Sequence, residues 1–165
     1  MGQLIQLPRG WQLLGVFVAL LGSISCTYST VYEEMHQLPN YGWTYAEPLA
    51  YPFQIEDTTA YYDLWLDLKH RPDLPYQNLY VQITTTYPKG QTATDVISLE
   101  LADRTGRWYG NCSSDACALS IPLQRETFFD QSGVYHLQIE QYTRTDTLPA
   151  LKAFGLRIEG TGKKR

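Results

Sequence analysis

Tyr62, Leu64, Leu66 and Leu68 alternate with Asp63, Trp65, Asp67 and Lys69. Successive side chains of a β-strand point to opposite faces, so this stretch reads as a strand with one face in a core and the other towards water. The same period recurs along the chain. Leu49, Tyr51, Phe53 and Ile55 share one face, and Pro52 between them lacks an N–H, which predicts an edge strand or a bulge. Leu79, Val81 and Ile83 alternate with Tyr80 and Gln82, and Phe154, Leu156 and Ile158 share a face of residues 153–159. Further short strands are predicted over 31–35, 96–101, 118–123 and 134–141. Turns are expected at Tyr87-Pro88-Lys89-Gly90, Asp103-Arg104-Thr105-Gly106 and Gln131-Ser132-Gly133. After residue 26 no long 3.6-residue periodicity occurs, and one helical turn capped by Asp146 is predicted within 145–152. The expected fold is all-β: an antiparallel β-sandwich, jelly-roll or Ig-like, of eight or nine strands. The 13 tyrosines, 4 tryptophans and 5 phenylalanines agree with strands rather than helices.

The N-terminus has a different character. Arg9 and the free amine precede the apolar run Leu13–Leu21, which suits a signal-peptide helix and is too short to span a bilayer. Gly22-Ser23-Ile24-Ser25-Cys26 follows and resembles a lipobox, the site at which bacterial lipoproteins are lipidated and cleaved. That resemblance implies lipidation of Cys26, cleavage before it and, as a rule, acylation of the new amine with a fatty acid such as palmitate. Stable anchoring takes more than one acyl chain, which such a modification supplies. The expected organisation is a signal peptide at 1–25, a lipid-anchored tether at 26–30, a β-sandwich over 31–160 and a disordered basic tail at 161–165.

Three cysteines make an odd count. With Cys26 lipidated, Cys112 and Cys117 remain, both within the turn-like segment Asn111–Cys117. An exported domain meets an oxidising compartment, so a Cys112–Cys117 disulfide is expected. No histidine lies at zinc-ligand spacing beside them, and four intervening residues do not make a redox Cys-x-x-Cys.

The chain carries 13 Lys and Arg against 17 Asp and Glu. Nucleic-acid binding needs clustered cations, and the only basic run is Lys163-Lys164-Arg165. No cofactor, metal or small-molecule substrate is indicated. His36, His70 and His136 are dispersed, and no Gly-x-Ser-x-Gly elbow or phosphate-binding loop occurs. Asp63 and Asp67 fall on one strand face, which leaves a hydrolase using them or His70 as one reading. Solvated strand carboxylates are the plainer one.

The segment Leu68–Tyr80 joins two strands and is dense in Arg, Tyr, Asn and Pro. Prolines lower the ordering cost of a loop, and Arg and Tyr are frequent interface anchors. Arg71, Tyr76, Asn78 and Tyr80 are therefore candidate partner-binding residues, with Trp108 beside Arg107 as a fifth. A structural crossover with Tyr76 and Asn78 bonded inside the domain is the alternative. Surface aromatics would also permit sugar stacking, so a lipid-anchored carbohydrate-binding module is the second functional reading.

Four segments resemble the GldH family of gliding-motility lipoproteins of Bacteroidota. They are Val31-Tyr32-Glu33-Glu34 soon after the cysteine, the Arg71–Tyr80 stretch, Glu100–Gly110, and the C-terminal run of Ser132-Gly133-Val134-Tyr135, Ile139-Glu140-Gln141 and Gly155–Glu159. The cysteine pair and Tyr142 depart from the pattern. The resemblance implies a non-enzymatic lipoprotein held at a membrane, facing the periplasm and linked to type IX secretion, with other gliding or secretion proteins as partners. Residues 27–30 hold no acidic surface-export signal, which favours the periplasmic side, with the outer membrane as the expected site.

Overall fold

The computed structural model describes residues 28–165; the leader and Cys26 lie outside the described residues. The chain forms β1 (Ser29–Gln37), β2 (Trp43–Thr44), β3 (Leu49–Ile55), β4 (Ala60–His70), β5 (Asn78–Thr86), β6 (Thr92–Glu100), β7 (Asn111–Cys112), β8 (Cys117–Thr127), β9 (Gly133–Gln141), β10 (Thr147–Leu148) and β11 (Leu151–Lys164). Eight of these are long strands; β2, β7 and β10 have two residues each.

One sheet has the order β1-β11-β4-β8-β7 and the other β3-β9-β5-β6, with all pairs antiparallel. Every connection between consecutive long strands crosses from one sheet to the other, except the β5–β6 hairpin. That is jelly-roll connectivity, which decides between the two sandwich types the sequence allowed.

The core follows the predicted alternation. Leu64, Leu66 and Leu68 of β4, flanked in the same sheet by Leu156 and Ile158 of β11, pack with Tyr51, Phe53 and Ile55 of β3, Val81 of β5 and Ile139 of β9 from the other sheet, all buried. Phe53 stacks on Tyr135 with ring centroids 5.4 Å apart, and Phe129 meets both edge-on. Pro52 sits on an edge strand, where its missing N–H costs no ladder bond. The Tyr87–Gly90 and Asp103–Gly106 turns each close with a backbone bond, at 2.8 and 2.9 Å.

Three local expectations need correction. Residues 145–152 hold no helical turn: Thr147–Leu148 pairs with Trp43–Thr44, and Leu151 already opens β11. Burial decides this, because Leu148, Ala150 and Leu151 are all drawn into the core. The Gln141 side chain also donates to the Thr145 and Asp146 carbonyls. The C-terminal residues 161–164 are the end of β11 rather than a disordered tail. Thr161 is buried and donates to the Tyr61 carbonyl, Arg165 N donates to the Thr59 carbonyl, and Lys164 pairs with Asp57 at 3.0 Å. The tether is also shorter than expected, because Ser29 and Thr30 are already paired with Gly160 and Glu159.

Candidate functional site

The strand directions define two ends. At the near end, Ser29, Gly160, Tyr62 and Thr127 form one row across the first sheet, beside the turns at 56–59, 87–91 and 128–132. Cys26 is three residues before Ser29, so its reach from this end is at most about 10 Å. At the far end lie the connections 38–48, 71–77, 101–116 and 142–150. The eleven residues of β4 separate the two ends by roughly 33 Å.

The far-end loops are tied together by main-chain bonds. The Gln77 carbonyl accepts from Leu101 N at 2.8 Å and Ala102 N at 3.1 Å, and Arg71 N donates to the Ala150 carbonyl at 2.8 Å. Leu74 is buried and pins the 71–77 loop to the core. Trp108 reaches back to this loop: its Nε1 donates to the Pro72 carbonyl at 3.2 Å, and its ring meets His70 edge-on at 4.5 Å. His70 is fully buried, with Nδ1 on the Arg71 carbonyl at 2.9 Å and no partner at Nε2. Burial holds its pKa below the ordinary imidazole value.

Asp103 organises the next turn. Its carboxylate accepts from the Thr105 hydroxyl, the Thr105 and Arg107 amides, and the Arg107 side chain. These donors, the Thr105 hydroxyl first, lower its pKa to about 2. Gly110 then turns with φ 79°, where a Cβ would lie 2.2 Å from the Ala118 carbonyl oxygen; only glycine fits. Cys112 and Cys117 are joined across the β7–β8 hairpin, and Cys117 pairs with His70 in the β-ladder.

All five candidate residues read from the sequence lie on this end, in different states. Arg71 is exposed and holds Asp73 through two bonds, at 2.9 and 2.6 Å. Tyr80 is exposed on the outer face of β5. Tyr76 is half-buried against the core, Asn78 is half-buried and bonded to Ser98 at 3.1 Å, and Trp108 is half-buried as described. Tyr76, Asn78 and Trp108 thus shape the loops, while Arg71 and Tyr80 present themselves to solvent.

Four tyrosines that the sequence reading passed over complete this face. Tyr41, Tyr45, Tyr109 and Tyr142 are exposed and sit on far-end connections. Tyr142 N donates to the Tyr80 carbonyl at 2.8 Å, which sets those two residues side by side. Tyr45 donates its hydroxyl to the Thr143 carbonyl, and Tyr41 bonds Glu47 at 2.8 Å. A legible signal existed: tyrosines set among turn formers, as in Asn40-Tyr41-Gly42 and Gln141-Tyr142-Thr143. Tyr41 and Tyr45 share one connection and Tyr109 and Tyr142 lie on two others, rather than in a line along one sheet, so the arrangement gives no geometric support to a sugar-stacking platform.

The carboxylates weighed for hydrolysis are committed elsewhere. Asp63 is fully buried against Arg125 at 2.8 Å, and Asp67 binds Arg157 at 2.9 Å, both on the outer side of the first sheet. His70 lies at the far end under Trp108. Among the described residues no group of three His, Cys, Asp or Glu side chains converges as a metal site.

A gliding motility lipoprotein GldH homolog of Christiangramia forsetii is 25% identical over 151 residues, covering 87% of this chain and 91% of that protein. The gliding motility lipoprotein GldH of Flavobacterium johnsoniae is 24% identical over 152 residues, covering 86% and 94%. The sequence model of the GldH lipoprotein family matches residues 30–158, which is nearly the whole jelly roll, and the chain belongs to that family.

Proposed function

We propose that this protein is a lipid-anchored, periplasm-facing assembly component of the gliding-motility apparatus and its associated type IX secretion machinery, without catalytic activity. Cys26 carries the lipid in this reading, the outer membrane is the site, and the tyrosine-bearing far end holds partner subunits. The observation that carries it is the placement of that face. Exposed Tyr41, Tyr45, Tyr80, Tyr109 and Tyr142 share the end of the sandwich opposite Ser29. With at most about 10 Å of chain between lipid and sheet, the near end lies against the bilayer and the far end points away. Tyrosine supplies large contact area with two rotatable side-chain bonds to order, which suits a docking surface. The relatives' names give the process, and the anchor gives the orientation.

Two measurements test the reading. Cys26→Ala moves the protein from the membrane to the soluble fraction; retention in the membrane refutes the anchor. The intact lipoprotein purified from its own membranes carries motility or secretion subunits with it. Recovery of none in several mild detergents refutes the assembly role.

A further inference from the structure

Four strands form the lateral edges of the two sheets, and three of them are guarded against pairing. β1 has a register break between Thr30 and Tyr32 and exposes charged Glu33. β3 carries Pro52. β8 is covered at its start by β7, contains Pro122, breaks register twice opposite Tyr62–Trp65, and bends at Glu126 with φ 49°. Bulges, prolines and charge are the usual devices that stop an edge from acting as a template.

β6 has neither bulge nor proline, and charge, at Asp95 and at the terminal Glu100, is its one guarding device. Its nine residues, Thr92–Glu100, pair with β5 in unbroken register from Thr92↔Thr86 to Glu100↔Asn78, and no strand lies on its other side. Thr, Val and Ile make it β-prone, and Val96 is 47% exposed.

The sandwich is also open beside this strand. Between β6 and β8 lies a cleft of about 480 Å³, within the size range of ligand sites, floored by Phe53, Leu64, Ile83, Leu123, Phe129 and Tyr135. Gln131 lines it, and the buried Oε1 of that residue has no donor. Ala93, Ile97 and Leu99 take the inward positions of β6, and Asp95 shares that parity at the cleft rim. Among the described residues nothing forms a hydrogen bond or ion pair with Asp95.

We propose that β6 accepts an extended strand of a partner protein, which places apolar side chains in the cleft and a lysine or arginine opposite Asp95. A strand added there covers the mouth of the cleft, and its inward side chains fall between the sheets. Covering the Asp95 carboxylate without a cation opposite it costs its hydration, so pairing becomes selective. A second copy of this chain fits poorly, because antiparallel β6–β6 pairing brings a second Asp95 to the same rim. This surface is distinct from the tyrosine face and does not depend on it.

The test uses the full-length lipoprotein in its own membranes, with a photo-crosslinking amino acid at Val96 and, separately, at Tyr142. The expected Val96 adduct maps by mass spectrometry to a segment with apolar residues at every second position and a Lys or Arg among them. Asp95→Lys lowers its yield at least tenfold while the thermal midpoint and the Tyr142 adducts stay unchanged. Reversing the mapped partner cation to Asp restores the yield. No adduct at Val96, an adduct only with a second copy, or a yield indifferent to Asp95→Lys overturns the proposal.

Discussion

Replacing Asp63 separates a structural carboxylate from a reactive one. Alternation along β4 assigns Asp63 to the outer face of the sheet, yet it has 0% exposure. Arg125 covers it, with its guanidinium carbon 4.9 Å from the centre of the Trp65 ring. One carboxylate oxygen accepts from Arg125 Nε at 2.8 Å, the other from Glu126 N at 2.7 Å. The second bond holds the left-handed kink at Glu126, a conformation costing roughly 1–2 kcal/mol for a residue other than glycine. In Asp63→Ala the Glu126 amide loses its acceptor in a partly buried site, a loss of about 1–3 kcal/mol. The Arg125 side chain is half exposed and regains water, so its bond contributes only about 1 kcal/mol. The expected loss is therefore about 2–4 kcal/mol. Asp63→Asn keeps an acceptor for the amide and loses about half as much. With a urea slope near 2 kcal/mol/M, Asp63→Ala lowers the unfolding midpoint by roughly 1–2 M. The assay is equilibrium urea unfolding of the mature protein followed by tryptophan fluorescence. A midpoint for Asp63→Ala within 0.2 M of wild type refutes the reasoning, as does an equal loss in the two variants.

Three further outcomes follow from the far end. Cys112→Ser costs about 2 kcal/mol by the chain-entropy estimate for so short a loop, read as a lower thermal midpoint that reduction of the wild type reproduces. His70 is held neutral by burial, so its contribution is present above the unfolded value of about 6.5 and is lost as pH falls below it; between pH 7.5 and 5 the wild type loses more thermal stability than His70→Gln, and equal losses count against this. Tyr80→Ser with Tyr142→Ser changes folding stability by no more than about 0.5 kcal/mol, yet weakens recovery of partner subunits roughly thirtyfold, as an interface anchor worth about 2 kcal/mol requires.

Much of the fold was legible residue by residue. Alternation marked the core faces of β3, β4, β5 and β11, and Pro52 narrowed β3 to an edge or a bulge, because side-chain parity and the lack of an N–H are local properties. The two turns at Tyr87 and Asp103 were legible for the same reason. Residues 145–152 and 161–165 were misread because their conformation is set by distant partners: Trp43–Thr44 for the first, Thr59 and Tyr61 for the second. Of the candidate partner-binding residues named from the sequence, Arg71 and Tyr80 are exposed, while Tyr76, Asn78 and Trp108 are half-buried. Composition cannot say which aromatic rings pack inward when each lies in a loop.

The sequence by itself determined the period of the strands, the class of the fold, the spacing of the cysteines and the likeness to one family. Those follow from local sterics and from the order of short motifs along the chain. Only the tertiary structure decided which strands are neighbours, and with that the jelly-roll order. It alone gathered five exposed tyrosines from three far-end connections and the start of β5 onto one end, and left β6 as the regular open edge. Strand pairing and loop clustering depend on contacts between residues tens of positions apart. Their free energy appears only when the whole core closes.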